Sequence, residues 1–581
     1  MTGRRDFLIR FASAFIAFLC AIASFADDVS ICAFGAKEGL FGVDPSANAS
    51  AVRRAVEKCA ASSGGEVRVP KGLWRTGPVQ LVSNVRLRLD EGAFLVFEDD
   101  PMLCLPPVRT SWEGVECMSY SPLVYAFGCT NVGIVGKGTL APKMDRWRKW
   151  FVGGEVHGRV RGEVYAAMMR GDPPESRVLS GKGGYFRPHL IQFNRCRGVE
   201  LRDFSIRESP FWTIHLLRCD GVVVSGIDSR ALGHNSDGIN IEKSRNVVVR
   251  DCRLHQGDDG VVVKAGRNRD GWDGSSVCAN IDIGGVKLVE GHGLLVIGSE
   301  LSGGVSNVVM RDSSQTGSSF ALFSLKTNER RGGFVRDVLM ENCRSDTVRD
   351  AVRIDTSSSR YPYPTSVTRR TEIDGIVVRN CSVGRADSFC RVSGDPECVV
   401  KGLRLENLQA DCVASGLTAP ENCPGFFAEG CLAECVSPER AKWEWNVPKP
   451  WYAEYDAAAE LPDAAALAAV GEIGDFRLRL RASKIVPGAA IVLRGAAEVA
   501  LTGEVGAVAG YRPLYDARRP GADFADMEVI LHRRAVSVKV NGFEVVCNER
   551  LGEGFPDCGG VSVRGADCSC IVLEPILGQK Y

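Results

Sequence analysis

Asn235-Ser236-Asp237-Gly238 is followed, 21 and 22 residues after Asp237, by Asp258 and Asp259 within Gly257-Asp258-Asp259-Gly260. Carboxylates brought together oppose one another's ionisation, so one keeps its proton to higher pH while a neighbour stays anionic. One acid for a leaving oxygen and one base for water is the division of labour that glycosidic bond hydrolysis needs. Two further elements follow: Gly291-His292-Gly293, with His292 33 residues after Asp259, and Ser324-Leu325-Lys326-Thr327-Asn328, with Lys326 34 residues after His292. Acidic turns are commonly no more than solvated surface, and a His between glycines is ordinarily a turn residue. The chemistry therefore depends on a fold that brings these groups together.

A repeat supplies such a fold. Short β-branched strands recur at Asn131-Val132-Gly133-Ile134, Gly198-Val199-Glu200-Leu201, Gly221-Val222-Val223-Val224, Asn246-Val247-Val248-Val249, Asn307-Val308-Val309-Met310, Asp337-Val338-Leu339-Met340, Gly375-Ile376-Val377-Val378 and Gly402-Leu403-Arg404-Leu405. Val199 to Val222 spans 23 residues, Val222 to Val247 spans 25, and Ile376 to Leu403 spans 27. A strand-only repeat of this period predicts a solenoid of stacked parallel strands, a right-handed parallel β-helix. A leucine-rich repeat would instead show a recurrent Leu-x-Leu and Asn pattern. The 61-residue interval from Val247 to Val308 predicts one more coil at Asn280-Ile281-Asp282-Ile283. Because 21 residues is close to one coil, Asp237 is predicted beneath Asp258 and Asp259 on one face. His292 and Lys326 fit the following, loop-lengthened coils.

The rest of the chain divides around this solenoid. Residues 1–26 read as an export signal, with Arg4, Arg5 and Arg10, an apolar stretch from Phe11 to Phe25, and a small-x-small site at Ser24-Phe25-Ala26. Arg4-Arg5 resembles the twin-arginine type, which places the mature protein in the periplasm or outside the cell. Residues 27–412 form the β-helix, entered through an amphipathic helix from Ser50 to Ala61 that caps its open end. Residues 142–188, rich in Arg, Gly and Trp, are an insertion that forms either a surface excursion or the wall of a cleft. Residues 413–470 are a proline-interrupted linker or docking segment, and 471–581 return to alternating strands with an Asn541-Gly542 hairpin turn, predicting an antiparallel β-sandwich.

Lys+Arg and Asp+Glu are equal at 71 each, so no net field recruits nucleic acid, and no later apolar run is long enough to span a membrane. The 22 cysteines follow the repeat. Cys196 and Cys219 precede their strand valines by three residues, whereas Cys252, Cys343 and Cys381 follow theirs by five. Equal offsets stack in a solenoid, so these read as buried thiol ladders rather than metal ligands. Cys431/Cys435 and Cys568/Cys570 are spaced so that disulfides could form.

In their order, Asn-Ser-Asp, Gly-Asp-Asp, Gly-His-Gly and a lysine resemble the polygalacturonase family of glycoside hydrolases, family 28. The likeness extends over roughly residues 30–410 and includes Phe34-Gly35-Ala36, Trp74-Arg75-Thr76-Gly77-Pro78, Ser209-Pro210-Phe211-Trp212 and Thr327-Asn328-Glu329-Arg330-Arg331-Gly332-Gly333. The resemblance implies inverting, single-displacement hydrolysis of α-1,4-linked galacturonate, with no metal or cofactor. Carried over, Asp258 is the general acid, Asp237 and Asp259 activate water, and His292 tunes the acid. Lys326 holds a substrate carboxylate, with Asn235 and Arg330 also binding substrate.

Two departures qualify the likeness. Ser324 stands where the family usually has Arg, so Arg330, Arg331 or Arg353 would have to supply the missing clamp. Asn240 stands where Asp is frequent, which would alter an acceptor subsite. The Thr-Asn-x-x-Arg-Gly-Gly stretch and the insertion resemble exo-acting bacterial members, and the sandwich resembles concanavalin-like jelly rolls. The expected partner is a pectic polysaccharide or oligogalacturonide, handled by a monomer. A rhamnogalacturonan hydrolase, a calcium-dependent pectate lyase and a non-catalytic pectin-binding surface protein are the alternatives.

Overall fold

The computed structural model describes residues 28–328, 330–357, 369–393, 396, 398–417, 420–437, 453–455, 459–461, 463–470, 473–514, 516–519, 522, 524–532, 535–552, 555–556, 558, 561–564 and 566–579. The expected export signal lies outside these residues. The chain forms two compact units, Met1–Gly39 with Val43–Trp445, and Leu40–Gly42 with Asn446–Tyr581.

The first unit is the parallel β-helix that the repeat predicted. The anticipated strands stack in register: Val132, Val199, Val222, Val247, Ile281, Val308, Val338 and Ile376 are successive partners across one parallel sheet. The extra coil is present as the strand Val277–Gly284. Alternation sends one set of β-branched side chains into a continuous core, each burial stabilising by about 1.5–3 kcal/mol. Asn246, Asn280 and Asn307 turn the chain with φ of 57°, 59° and 56°. Asn is one of the few side chains that tolerate this left-handed region. Their amides link coil to coil at 3.0 and 2.9 Å.

Helix α1 (Pro45–Ala61) begins earlier than expected, because the Asp44 carboxylate caps Ser46 N–H at 2.9 Å and Pro45 occupies the first turn. It buries Val52, Ala55, Val56 and Cys59 against the end of the stack. The stacking also runs past residue 412, where the repeat was expected to stop: Phe427–Glu429 pairs with Arg404–Glu406, and Leu432–Cys435 with Gln409–Ser415. These last strands leave Phe427 and Leu432 exposed, so the apolar pattern that betrays the earlier coils is missing.

The sheet that carries the acidic turns contains β1 (Ile214–Leu217), β2 (Ile239–Glu242), β3 (Val261–Ala265), β4 (Gly293–Leu301), β5 (Ser314–Lys326), β6 (Arg344–Asp355) and β7 (Ser382–Ser393), paired in that order. Ile239, Ile241, Val261, Val263, Leu295, Ile297, Phe323 and Leu325 point into the core. By alternation, Asn240, Val262, Val296, Ser324, Arg353 and Arg391 form one outward column, in register across six strands.

Part of that outward face is covered. An antiparallel hairpin, Val108–Trp112 with Val115–Ser119, lies across β1 and β2. Ser111 Oγ reaches Glu242 at 3.4 Å, and Ser111 O meets His189 Nε2 at 2.9 Å. Within the 142–188 insertion, helix α2 (Gly154–Arg170) packs Val160, Val164, Tyr165 and Met168 against Trp112, Phe186, Phe211 and Trp212. The insertion is therefore a wall. The hairpin, whose sequence carries no repeat signal, was not anticipated.

The second unit consists of antiparallel sheets, as the alternating strands predicted. Phe476–Ser483, Phe524–His532, Ala535–Val540 and Phe543–Arg550 form a meander, with Asp567–Gln579 beside the first. A separate sheet joins Ala490–Leu493, Ala497–Ala500 and Val561–Arg564. Asn541-Gly542 makes the expected hairpin, both residues at positive φ. Among the described residues no helix is long and apolar enough to cross a membrane.

Candidate active site

The acidic turns are held by hydrogen bonds between coils. Ser236 Oγ donates within its own turn to Ala231 O at 2.6 Å and accepts Gly257 N–H from the next coil at 3.1 Å. Gly238 N–H donates to Asp259 O at 2.9 Å, and His292 N–H donates to Asp258 O at 2.8 Å. Each turn thus sets the height of the next. Gly257 is required by close approach, since a Cβ there would collide with the Gly233 and Leu232 carbonyl oxygens.

Five of the predicted residues converge. His292 Nδ1 lies 2.7 Å from Asp258 Oδ1, and Lys326 Nζ donates to Asp259 Oδ2 at 3.0 Å. Asp237 and Asp259 are buried, whereas Asp258, His292 and Lys326 are half-buried and line the open side. Burial, then the neighbouring Asp258, hold the Asp237 carboxyl well above its usual range, against the pull of Lys264. Burial also opposes ionisation of Asp258, but the His292 ring overcomes it and brings this carboxyl below the usual range. The environments thus push two carboxyls apart, with Asp237 the one inclined to hold a proton and Asp258 the anion, the reverse of the resting order that the resemblance implies.

The carboxylates and His292 also offer ligand atoms within 4.8 Å of one another. Asp258 and Asp259 are each already bonded to a basic side chain. A cation held there would have to break the His292–Asp258 contact and compete with the Lys326 ammonium for Asp259, so the donor set suits proton transfer better than coordination.

The other predicted residues fall elsewhere. Asn235, at φ 56°, accepts from Arg187 Nη2 at 3.0 Å and braces the turn that carries Asp237. Arg330 lies in the turn after Lys326, its N–H capped by Asn328 Oδ1 at 3.1 Å. Of the three arginines that could replace the one missing at Ser324, Arg331 is buried and donates to Asn268 Oδ1 at 3.3 Å. Arg353 stands in register beside Ser324 on the outward column, with Asp350 at 3.5 Å and Asp355 at 4.0 Å. Asn240 is fully buried and so out of reach of a sugar, which corrects its reading as an acceptor-subsite residue.

The thiol ladders are present. Cys196 and Cys219 are buried, and Cys343 N–H meets Cys381 Sγ at 3.4 Å. Cys431, Cys435, Cys568 and Cys570 are free thiols, so neither of the disulfides that the spacing allowed is formed.

Sequence reasoning missed Lys264 and Glu300 and gave Trp212 no place at the site. Lys264 Nζ lies 3.7 Å from Asp237 Oδ2, 2.7 Å from Glu300 Oε2 and 4.5 Å from the centre of the Trp212 ring. The available signal was parity: in Val261-Val262-Val263-Lys264, the lysine falls on the outward phase of a strand that follows the acidic pair directly.

A parallel β-helix with acids, an imidazole and an ammonium gathered on an outward face defines a glycoside hydrolase of the solenoid type. Residues 175–410 match the family model for glycosyl hydrolases family 28. An exopolygalacturonase from Thermotoga maritima, described as hyperthermoactive, is similar in structure at 31% identity and TM-score 0.65, over 70% of this chain and 92% of that one. An endo-polygalacturonase of Pectobacterium carotovorum subsp. carotovorum is 27% identical over 58% of this chain and 81% of its own. A probable polygalacturonase of Vitis vinifera is 24% identical over 69% and 78%. The chain belongs to glycosyl hydrolases family 28.

Proposed function

We propose that the protein is an exported hydrolase of α-1,4-galacturonosyl linkages in pectic chains, acting with inversion and from chain ends. The observation that carries this reading is the convergence of Asp237, Asp258 and Asp259 with His292 and Lys326 on one outward face. Asp258, anionic at rest, draws a proton from the His292 ring 2.7 Å away and passes it to the leaving oxygen. Asp237 and Asp259 take a proton from water on the opposite side of the sugar, so water rather than protein attacks the anomeric carbon and the configuration inverts. Lys326 and Arg353 offer an ammonium and a guanidinium to sugar carboxylates, which favours a uronate.

End-wise action is supported by the wall. The hairpin and α2 cover the outward faces of β1 and β2, the second of which follows Asp237 directly, and so stand on one side of the acidic pair. Chromatography of products from polygalacturonate, rhamnogalacturonan and short oligomers tests the reading. Monogalacturonate as the first product, initially of inverted anomeric configuration, is expected. Release of unsaturated, chelator-sensitive product would favour a lyase, and binding without turnover would favour a surface protein.

A further inference from the structure

A buried line of alternating charges connects Asp237 to the wall. The Lys264 ammonium, 3.7 Å from Asp237, also donates to Glu300 Oε2 at 2.7 Å and to Gly298 O at 3.3 Å. The other Glu300 oxygen accepts from Arg267 Nη2 at 2.6 Å. Arg267 Nη1 donates to the Tyr165 hydroxyl of α2 at 3.0 Å and faces Glu113 at the hairpin tip at 3.4 Å. Tyr165 in turn donates to Glu113 at 2.9 Å. The Arg267 N–H is bonded to Gly114 O at 3.0 Å. Gly114 has φ +83°, and a Cβ there would press on Glu300 and Arg267. The side chains of Lys264, Glu300 and Arg267 are only 6%, 6% and 2% exposed, so solvent screens the line little.

We propose that Lys264 is a positioning residue that keeps Asp237 available as an anionic base, and that the wall reaches the reaction through it. Glu113 and Tyr165 fix Arg267, Arg267 fixes Glu300, and Glu300 fixes the ammonium beside Asp237. The charges that face Asp237 are Asp258 and Asp259 from the turn before β3, Lys264 from β3 itself and Lys326 from β5. Two of these oppose its ionisation and two favour it. Lys326 is already committed to Asp259. Lys264 is therefore the cation whose loss Asp237 feels most. A buried ammonium at this distance is strongly favourable only while its own charge is matched, which is the part Glu300 plays. The proposal rests on the reading of Asp237 as a base.

The test is the pH dependence of kcat/KM on oligogalacturonides for the full chain. A base acts only when deprotonated, and an opposite charge within about 4–6 Å typically lowers a carboxyl by about 1–3 pH units. Lys264→Met is expected to move the acidic limb upward by about that amount, while Lys264→Arg leaves it within half a unit of the wild type. A folded Lys264→Met enzyme with an unmoved acidic limb overturns the proposal, whatever its residual rate. Should Lys264→Met not fold, Glu300→Gln, which removes the group that holds and matches the ammonium, is expected to move the limb in the same upward direction. An unmoved or lowered limb in that variant is equally fatal. A second readout does not need turnover: Asp237→Asn is expected to gain more stability in the Lys264→Met background than in the wild type. That arm separates failure of this inference from failure of the galacturonide reading.

Discussion

The imidazole of His292 sits one coil beyond Asp258, with Nδ1 and Oδ1 2.7 Å apart, and its own backbone N–H donates to the Asp258 carbonyl. One residue thus fixes the other twice, once through the main chain and once through the side chain. The main-chain bond sets the spacing of the turns, and the side-chain bond ties the imidazole to the Asp258 carboxyl.

Asp258→Asn keeps the size and most hydrogen bonds of the side chain but removes the carboxylate proposed to relay a proton from His292. Turnover is expected to fall about 10²–10⁴-fold, with KM little changed and the far-ultraviolet β signal intact. Steady-state kinetics on oligogalacturonides check this. Unchanged turnover would remove Asp258 from the reaction.

Asp237 bears on stability apart from its proposed part in catalysis. Its folded-state carboxyl is raised above the unfolded value near 3.8, so both states are protonated below that pH and the group contributes nothing there. As pH rises past the unfolded value, the unfolded chain loses its proton first and is favoured, until the folded carboxyl ionises as well. Asp237→Asn is therefore expected to be more stable than the wild type at neutral pH, with the gain vanishing below about pH 4. Urea titrations at pH 3.5, 5 and 7 measure it, and an equal effect at all three values would contradict the assignment.

Much of this arrangement was legible before any coordinates. Asp237 and Asp258 are separated by nearly one coil, and a solenoid turns such a separation into vertical neighbourhood. The strand valines declared the register, and with it the place of the Asn280 coil. His292 and Lys326 needed the resemblance, because loops between them stretch the offsets beyond a coil. Lys264, Glu300 and Arg267 left no motif: their partners lie on β4, on α2 and in a hairpin whose attachment is set by tertiary contacts alone. The end of the stack was misplaced for a related reason, since the final strands bury too little to show a pattern.

Arg353 gives a test of sugar identity. If its guanidinium reads a uronate carboxylate, Arg353→Ala should raise KM for free-acid oligomers roughly 10-fold or more, as loss of a charge-assisted hydrogen bond implies, while barely affecting their methyl esters. Competition assays with the two substrates report the ratio directly. Equal loss on both would assign Arg353 to the structural pairing with Asp350 and Asp355 instead.

Gly257 offers a purely steric prediction. A methyl group there meets the Gly233 and Leu232 carbonyls, so Gly257→Ala should cost about 1–3 kcal/mol through forced displacement in a packed region. Because the displaced turn carries Asp258 and Asp259, activity should fall further than the loss of folded protein explains. Denaturant midpoints measured beside kcat separate the two effects.

The hairpin and α2 have a consequence for how a polymer is consumed. On the proposed end-wise action, each molecule of substrate would present a fixed number of productive termini however long it is. The rate would then count chains rather than mass, viscosity would decline slowly as monomer accumulates, and a partner that severs the polymer internally would accelerate the enzyme by multiplying ends.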